Sequence, residues 1–77
     1  MRFPSLKADR LLAILKRKPL SYRIVRQEGS HRWLESSSGY PPLEFAFHKG
    51  REVPPHIVKK VLTKDVGLSA EEARTLV

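Results

Sequence analysis

The chain has 77 residues, of which 40% are hydrophobic and 30% are charged, and this balance excludes a disordered tail and leaves room for one small domain. It contains no cysteine, which excludes disulfides and thiolate metal sites. The net charge is +7, and the excess of basic residues lies in residues 1–64, which contain fourteen basic and five acidic residues. We predict a single domain over residues 1–77, with a basic body at 1–64 and a short helix within 65–77.

The charge also narrows the class of partner. A small, strongly basic domain most often binds nucleic acid, although an acidic protein would also account for the charge. The opening residues Met-Arg-Phe-Pro lead into a charged amphipathic stretch, and no apolar run approaches the length of a membrane span. We therefore expect a cytoplasmic protein that does not contact a membrane.

The first predicted element is an amphipathic helix. Ser5 is placed to cap it, and it should end near Lys18 because Pro19 follows. Lys16, Arg17 and Lys18 then fall in its last turn, where basic side chains interact favourably with the helix dipole. The apolar residues that recur at helical spacing are Ala8, Leu11, Leu12 and Leu15.

Three antiparallel strands are predicted next, at residues 20–26, 31–36 and 43–47. Gly29 and Ser30 form a tight hairpin turn between the first two, so His31 begins the second strand. If Leu34 packs under the helices, alternation leaves His31 and Trp33 on the outer face, whereas a buried Trp33 would take His31 inward. In the third strand, Leu43, Phe45 and Phe47 should face the helices, and Glu44, Ala46 and His48 should face outward.

Two further helices complete the pattern. The second begins at Pro54-Pro55 and ends at Gly67, with an apolar stripe formed by Ile57, Val58, Val61 and Leu62. Ser69 and Glu72 form a capping box for a short last helix. The predicted fold is α+β, a two-layer α-β-β-β-α sandwich with helices on one face of a three-stranded antiparallel sheet.

His31 is the strongest candidate functional residue. Histidine is the side chain best suited to proton transfer near neutral pH, and Arg23, Arg26 and Arg32 lie close by in the sequence. This combination suits chemistry on an anion such as a phosphodiester, although an isolated histidine at a strand start is more often structural. We expect no metal site, because the three histidines lack a usual ligand spacing.

Two segments then resemble a known family. Residues 26–31 (Arg-Gln-Glu-Gly-Ser-His) and 48–54 (His-Lys-Gly-Arg-Glu-Val-Pro) occur in this order within the helix, three-strand, helix pattern. Together they resemble the HicA toxins of bacterial toxin–antitoxin pairs, which are small ribonucleases that cleave messenger RNA. The resemblance runs from the first helix through Leu62, and it implies a fold similar to the double-stranded RNA-binding domain.

The resemblance implies a catalytic role for His31 in a metal-independent endoribonuclease that needs no cofactor and is inhibited by a HicB-type antitoxin. Gly29 would position the catalytic residue, and Ser30 would orient the imidazole or the phosphate. His48 or water would protonate the leaving oxygen. The candidate phosphate contacts are Arg23, Arg26, Arg32 and Lys49.

Two alternatives stay open. The chain could be a non-catalytic RNA-binding module of the same fold, or an inactive relative of the toxins, in which His31 only donates a hydrogen bond. It could also be a small basic adaptor for an acidic protein, which would have no affinity for RNA at moderate salt.

Overall fold

The computed structural model describes residues 2–77, so Met1 of the predicted domain lies outside the described residues. The structure is α+β, and its three-stranded antiparallel sheet has the order β2-β3-β4, which confirms the predicted class. The elements are β1 (Leu6–Lys7), α1 (Ala8–Lys16), β2 (Tyr22–Glu28), β3 (His31–Ser36), β4 (Leu43–Ala46), β5 (Glu52–Val53), α2 (Pro55–Lys60), a π-helical turn (Val61–Asp65) and α3 (Ala70–Leu76).

The start of α1 differs from the prediction. Ser5 does not cap the helix, because the N-cap position is Lys7 and no side chain caps it. The reason is a short strand pair that the sequence pattern did not indicate: β1 pairs with β5 and holds the chain extended up to Lys7. Ser5 Oγ instead donates to Glu52 Oε2 at 3.1 Å, so it contributes to the β1–β5 contact.

The buried face and the end of α1 also depart from expectation. Its buried residues are Ala8, Leu11, Ile14 and Leu15, and the half-buried Leu12 packs against the same core, so the buried face also includes Ile14, which the predicted stripe did not. Arg17 has an extended conformation, with ψ of 166°, and the helix therefore ends at Lys16. Arg17 Nη2 donates to the Leu76 carbonyl at 3.1 Å and so connects the end of α1 to α3.

The sheet begins two residues later than predicted. Ser21 has a φ of 53°, a left-handed conformation that interrupts the extended chain, and Leu20 is fully buried in the turn before it. β4 ends at Ala46, but the Phe47 N–H still donates to the Ser30 carbonyl at 2.7 Å. The ladder between β3 and β4 therefore reaches the hairpin turn.

The C-terminal helices follow the predicted order. Pro54 is the N-cap residue of α2, and a π-helical turn continues it to Asp65. Gly67 follows with a φ of 93°, which ends the helix as predicted. The capping box of α3 is confirmed, because Ser69 Oγ accepts from the Glu72 N–H and the Glu72 carboxylate accepts from the Ser69 N–H.

The core lies between the sheet and the helices. Leu34 is fully buried, and Leu43 and Phe45 are 7% and 4% exposed, in one cluster with residues of all three helices. The outward residues of the same strands, His31, Glu35, Glu44 and Ala46, are exposed. The helices therefore cover one face of the sheet, and we call the other face, which carries His31, the open face. No helix within residues 2–77 is long and apolar enough to cross a membrane.

Candidate functional site at the β2–β3 hairpin

A two-residue turn sets the position of His31. Glu28 pairs with His31 across the hairpin, so Gly29 and Ser30 alone form the loop. Gly29 has a φ of 59°, which matches a tight turn with glycine at its first central position. His31 is thereby fixed as the first residue of β3, as the sequence predicted, and its side chain is exposed.

A β-bulge brings Arg26 to the same face as His31. Ile24 pairs with Leu34 and Arg26 pairs with Trp33, which leaves Val25 without a partner. Tyr22 and Ile24 face the core, so regular alternation would also have turned Arg26 toward the helices. The extra residue reverses the alternation, and Arg26 comes to lie over the Trp33 ring, 4.7 Å from its centroid.

Five side chains form a contiguous group on the open face, which we call the His31 cluster: Arg26, Glu28, His31, Trp33 and Glu44. The His31 and Trp33 rings stack with centroids 5.8 Å apart and an interplanar angle of 28°. Arg26 Nη2 lies 2.6 Å from Glu28 Oε2, and His31 Nδ1 lies 3.4 Å from Glu44 Oε2. Trp33 therefore lies on the open face and not in the core, and His31 lies beside it.

The two nitrogens of the His31 imidazole have different surroundings. Nδ1 faces the Glu44 carboxylate, whereas Nε2 has no hydrogen-bonding partner among residues 2–77. The side chain is 53% exposed, so the imidazole is accessible to a molecule that approaches the open face. A neutral imidazole that donates from Nδ1 presents its lone pair at Nε2, where it can accept a proton.

The other predicted phosphate contacts do not gather around this nitrogen. Arg32 points to the helix side of the sheet, where its guanidinium lies 5.4 Å from the Phe47 ring centroid. Its Nη1 donates to the Gly29 carbonyl at 2.6 Å. Arg23 pairs with Glu35, four residues along β3 from His31, which corresponds to a separation of about 13 Å. Lys49 lies in the turn that follows β4.

The charges on the open face are mixed. Strand register places Arg23 and Arg26 there together with Glu28, Glu35 and Glu44. Carboxylates thus outnumber guanidinium groups on the face that carries His31. Other basic side chains are exposed on or next to α1 and on α2 and its π-helical extension: Lys7, Arg10, Lys16, Arg17, Lys18, Lys59, Lys60 and Lys64.

A cavity of about 330 Å³ lies beside β4, between this strand and β5 with α2. His48 lines it, together with Arg51 and Lys60, and Glu44 lies both at this cavity and beside His31. No group of three or more His, Asp or Glu side chains is arranged to hold a metal ion in the described part of the chain.

Sequence reasoning missed the contact between Glu44 and His31. Alternation predicts that Glu44 faces outward, and the structure confirms this, since Glu44 is exposed while Leu43 and Phe45 are buried. The approach of Glu44 to His31 depends on the β3–β4 register, in which Trp33 pairs with Glu44 and His31 pairs with Ala46. The loop at residues 37–42 connects β3 to β4 and so sets this register. A prediction of its conformation would have identified the contact between His31 and Glu44.

Comparison with known proteins identifies no relative, because no family model, no curated protein and no solved structure matches the chain.

Proposed function

We propose that the chain is a metal-independent endoribonuclease of the HicA type, a toxin that cleaves messenger RNA in the cytoplasm with His31 as the catalytic residue. The observation that carries the proposal is the geometry of His31. Its imidazole stands next to a two-residue hairpin turn, Nδ1 faces a carboxylate, and the side chain is half exposed to solvent. A histidine held in this way is suited to take a proton from a hydroxyl group.

The reaction would use the 2′-hydroxyl of the RNA as the nucleophile. His31 Nε2 removes its proton, the 2′-oxygen forms a bond to the adjacent phosphorus, and the bond from phosphorus to the 5′-oxygen breaks. The 5′-oxygen takes a proton from an acid, for which His48 or water are the candidates. The products are a 2′,3′-cyclic phosphate and a 5′-hydroxyl. Arg26, which lies on the same face and contacts Trp33, is the candidate cation to stabilise the charge on the phosphate.

Two further parts of the proposal concern fold and partner. The arrangement of a three-stranded antiparallel sheet with helices on one face supports a fold similar to the double-stranded RNA-binding domain. A HicB-type antitoxin is the proposed protein partner. Because His31 lies on the face of the sheet that the helices leave open, a protein that covered this face would block the catalytic nitrogen.

The test is cleavage of RNA by the purified chain in the presence of EDTA. We expect cleavage of RNA and none of DNA of the same sequence, which lacks the 2′-hydroxyl. His31→Ala should lower the rate by about 10²–10⁴-fold while RNA binding persists. His56→Ala is the matched control, since His56 is exposed on α2. An equal rate for native chain and His31→Ala would contradict the proposal.

A non-catalytic RNA-binding module is the second candidate, and the mixed charge of the open face favours it. Glu28, Glu35 and Glu44 repel phosphate, whereas exposed basic residues lie on the helices. Under this alternative, RNA binds without being cut, and binding weakens steeply with salt. Expression in a bacterial culture separates the two: growth arrest with RNA degradation from the native chain but not from His31→Ala supports the toxin.

A further inference from the structure

We propose that Glu44 is a positioning residue for His31, which holds the imidazole in the tautomer that exposes the Nε2 lone pair. The inference rests on the proposed function, in which His31 Nε2 accepts a proton. Its basis is the 3.4 Å separation between His31 Nδ1 and Glu44 Oε2, which joins residues from two neighbouring strands. A catalytic base that is oriented by a third group is the general arrangement for proton transfer in active sites.

Strand register explains why Glu44 is the carboxylate that reaches His31. Three carboxylates share the open face, but Glu28, which pairs directly with His31, is held by Arg26 at 2.6 Å. Glu35 lies at the other end of β3, opposite Arg23. Glu44 is diagonal to His31 on β4, and diagonal neighbours across a sheet are within reach of long side chains.

Trp33 restricts the imidazole from a second side. Its ring stacks on His31 at a centroid distance of 5.8 Å, and it is itself contacted by Arg26. The stacking limits rotation of the imidazole, and Glu44 determines which nitrogen carries the hydrogen. In free histidine the Nε2–H tautomer is the more populated one, so a carboxylate beside Nδ1 is needed to favour the Nδ1–H tautomer, which leaves the lone pair on Nε2. When Nε2 takes the proton, the negative charge of Glu44 also stabilises the resulting imidazolium.

The experiment compares Glu44→Gln with a matched control, Glu35→Gln. Both substitutions remove one negative charge from the open face, so both should strengthen RNA binding to a similar extent. Only Glu44→Gln should lower kcat, by about 10–100-fold, if its effect matches that of the residues that orient metal-bound histidines. Nitrogen-15 NMR of the histidine ring gives a readout that a structural role would not change: the native chain and Glu35→Gln should show the Nδ1–H tautomer, and Glu44→Gln should shift toward Nε2–H.

The outcomes separate this inference from the proposed function. If the native chain cleaves RNA and Glu44→Gln keeps its kcat and its tautomer, the positioning role is wrong and the endoribonuclease stands. If the native chain does not cleave RNA, the proposed function fails and Glu44 has no catalysis to serve, whatever the NMR result. Loss of kcat together with the tautomer shift in Glu44→Gln alone supports both.

Discussion

Replacement of Arg32 by alanine tests whether this side chain stabilises the hairpin or contacts phosphate. Arg32 Nη1 donates to the Gly29 carbonyl at 2.6 Å, and its guanidinium lies 5.4 Å from the Phe47 ring centroid. A hydrogen bond from a charged donor contributes about 1.5 kcal/mol, and a cation–π contact near the surface about 0.5–1 kcal/mol. Arg32→Ala should therefore lower the free energy of unfolding by about 2 kcal/mol and the Tm by roughly 8–16 °C.

The assay is thermal and urea unfolding, followed by circular dichroism. The stability control is Arg23→Ala, since Arg23 is exposed on the open face and its loss should change the unfolding free energy by less than about 0.5 kcal/mol. The opposite result would refute the structural role: if Arg32→Ala is as stable as the native chain but binds RNA more weakly and with a shallower salt dependence, Arg32 contacts phosphate.

Two further predictions use the aromatic residues. Burial raises the pKa of the Tyr22 hydroxyl from its ordinary value of 10.0, so the folded chain keeps a proton that the unfolded chain has lost. The free energy of unfolding should therefore decrease as the pH rises above 10. Urea unfolding at several pH values should show a smaller decrease for Tyr22→Phe than for the native chain, and an unchanged decrease for Tyr40→Phe. An equal decrease for Tyr22→Phe and the native chain would contradict this. Trp33 is the only tryptophan, and its ring stacks on His31 with centroids 5.8 Å apart, so removal of the imidazole should expose the indole to water; the fluorescence emission maximum should move to longer wavelength in His31→Ala but stay unchanged in His48→Ala. An unchanged emission maximum in His31→Ala would contradict the stacking.

Local sequence signals predicted much of the fold. Alternation in β4 identified its faces, because Leu43 and Phe45 are apolar residues two positions apart and are both buried. In β3, alternation left two orientations open, and the structure buries Leu34 and leaves Trp33 on the open face. The Ser69 and Glu72 capping box was predicted from four consecutive residues, because its hydrogen bonds are made within one helical turn. These features depend on neighbouring residues only.

Features that depend on long-range pairing were not predicted. The β1–β5 pair joins Leu6 to Val53, and two-residue strands carry no periodic signal of their own. This pair displaced the helix start from Ser5 to Lys7. The bulge at Val25 also escaped prediction, since a valine in a β-prone run is typical of a regular strand, and Val25 is 46% exposed here.

The candidate site depends on that bulge. Without the extra residue, Arg26 and Glu28, which are two residues apart and share a face, would both face the helices, and Trp33 would lose its cationic partner on the open face. The sequence places three arginines around His31, whereas in the structure only Arg26 of the three has its side chain in the His31 cluster. The Arg32 guanidinium contacts the backbone carbonyls of Gly29 and His31 and the Phe47 ring. The case for chemistry at this face therefore depends on the orientation of one imidazole, and not on a ring of positive charge.

Charge and chemistry are thus divided between two surfaces of the molecule. From the net charge of +7 we predict a nucleic-acid partner, with an acidic protein as the alternative. Exposed basic side chains are concentrated on and next to the helices, however, and the open face has more carboxylates than guanidinium groups. The motif around His31 indicates proton transfer, and the geometry of Nδ1 and Nε2 supports it independently of the charge. These two arguments use different residues. If the chain binds RNA without cleaving it, the argument for proton transfer at His31 fails and the argument from net charge stands. Cleavage that depends on His31 would require a substrate that reaches the open face despite Glu28, Glu35 and Glu44.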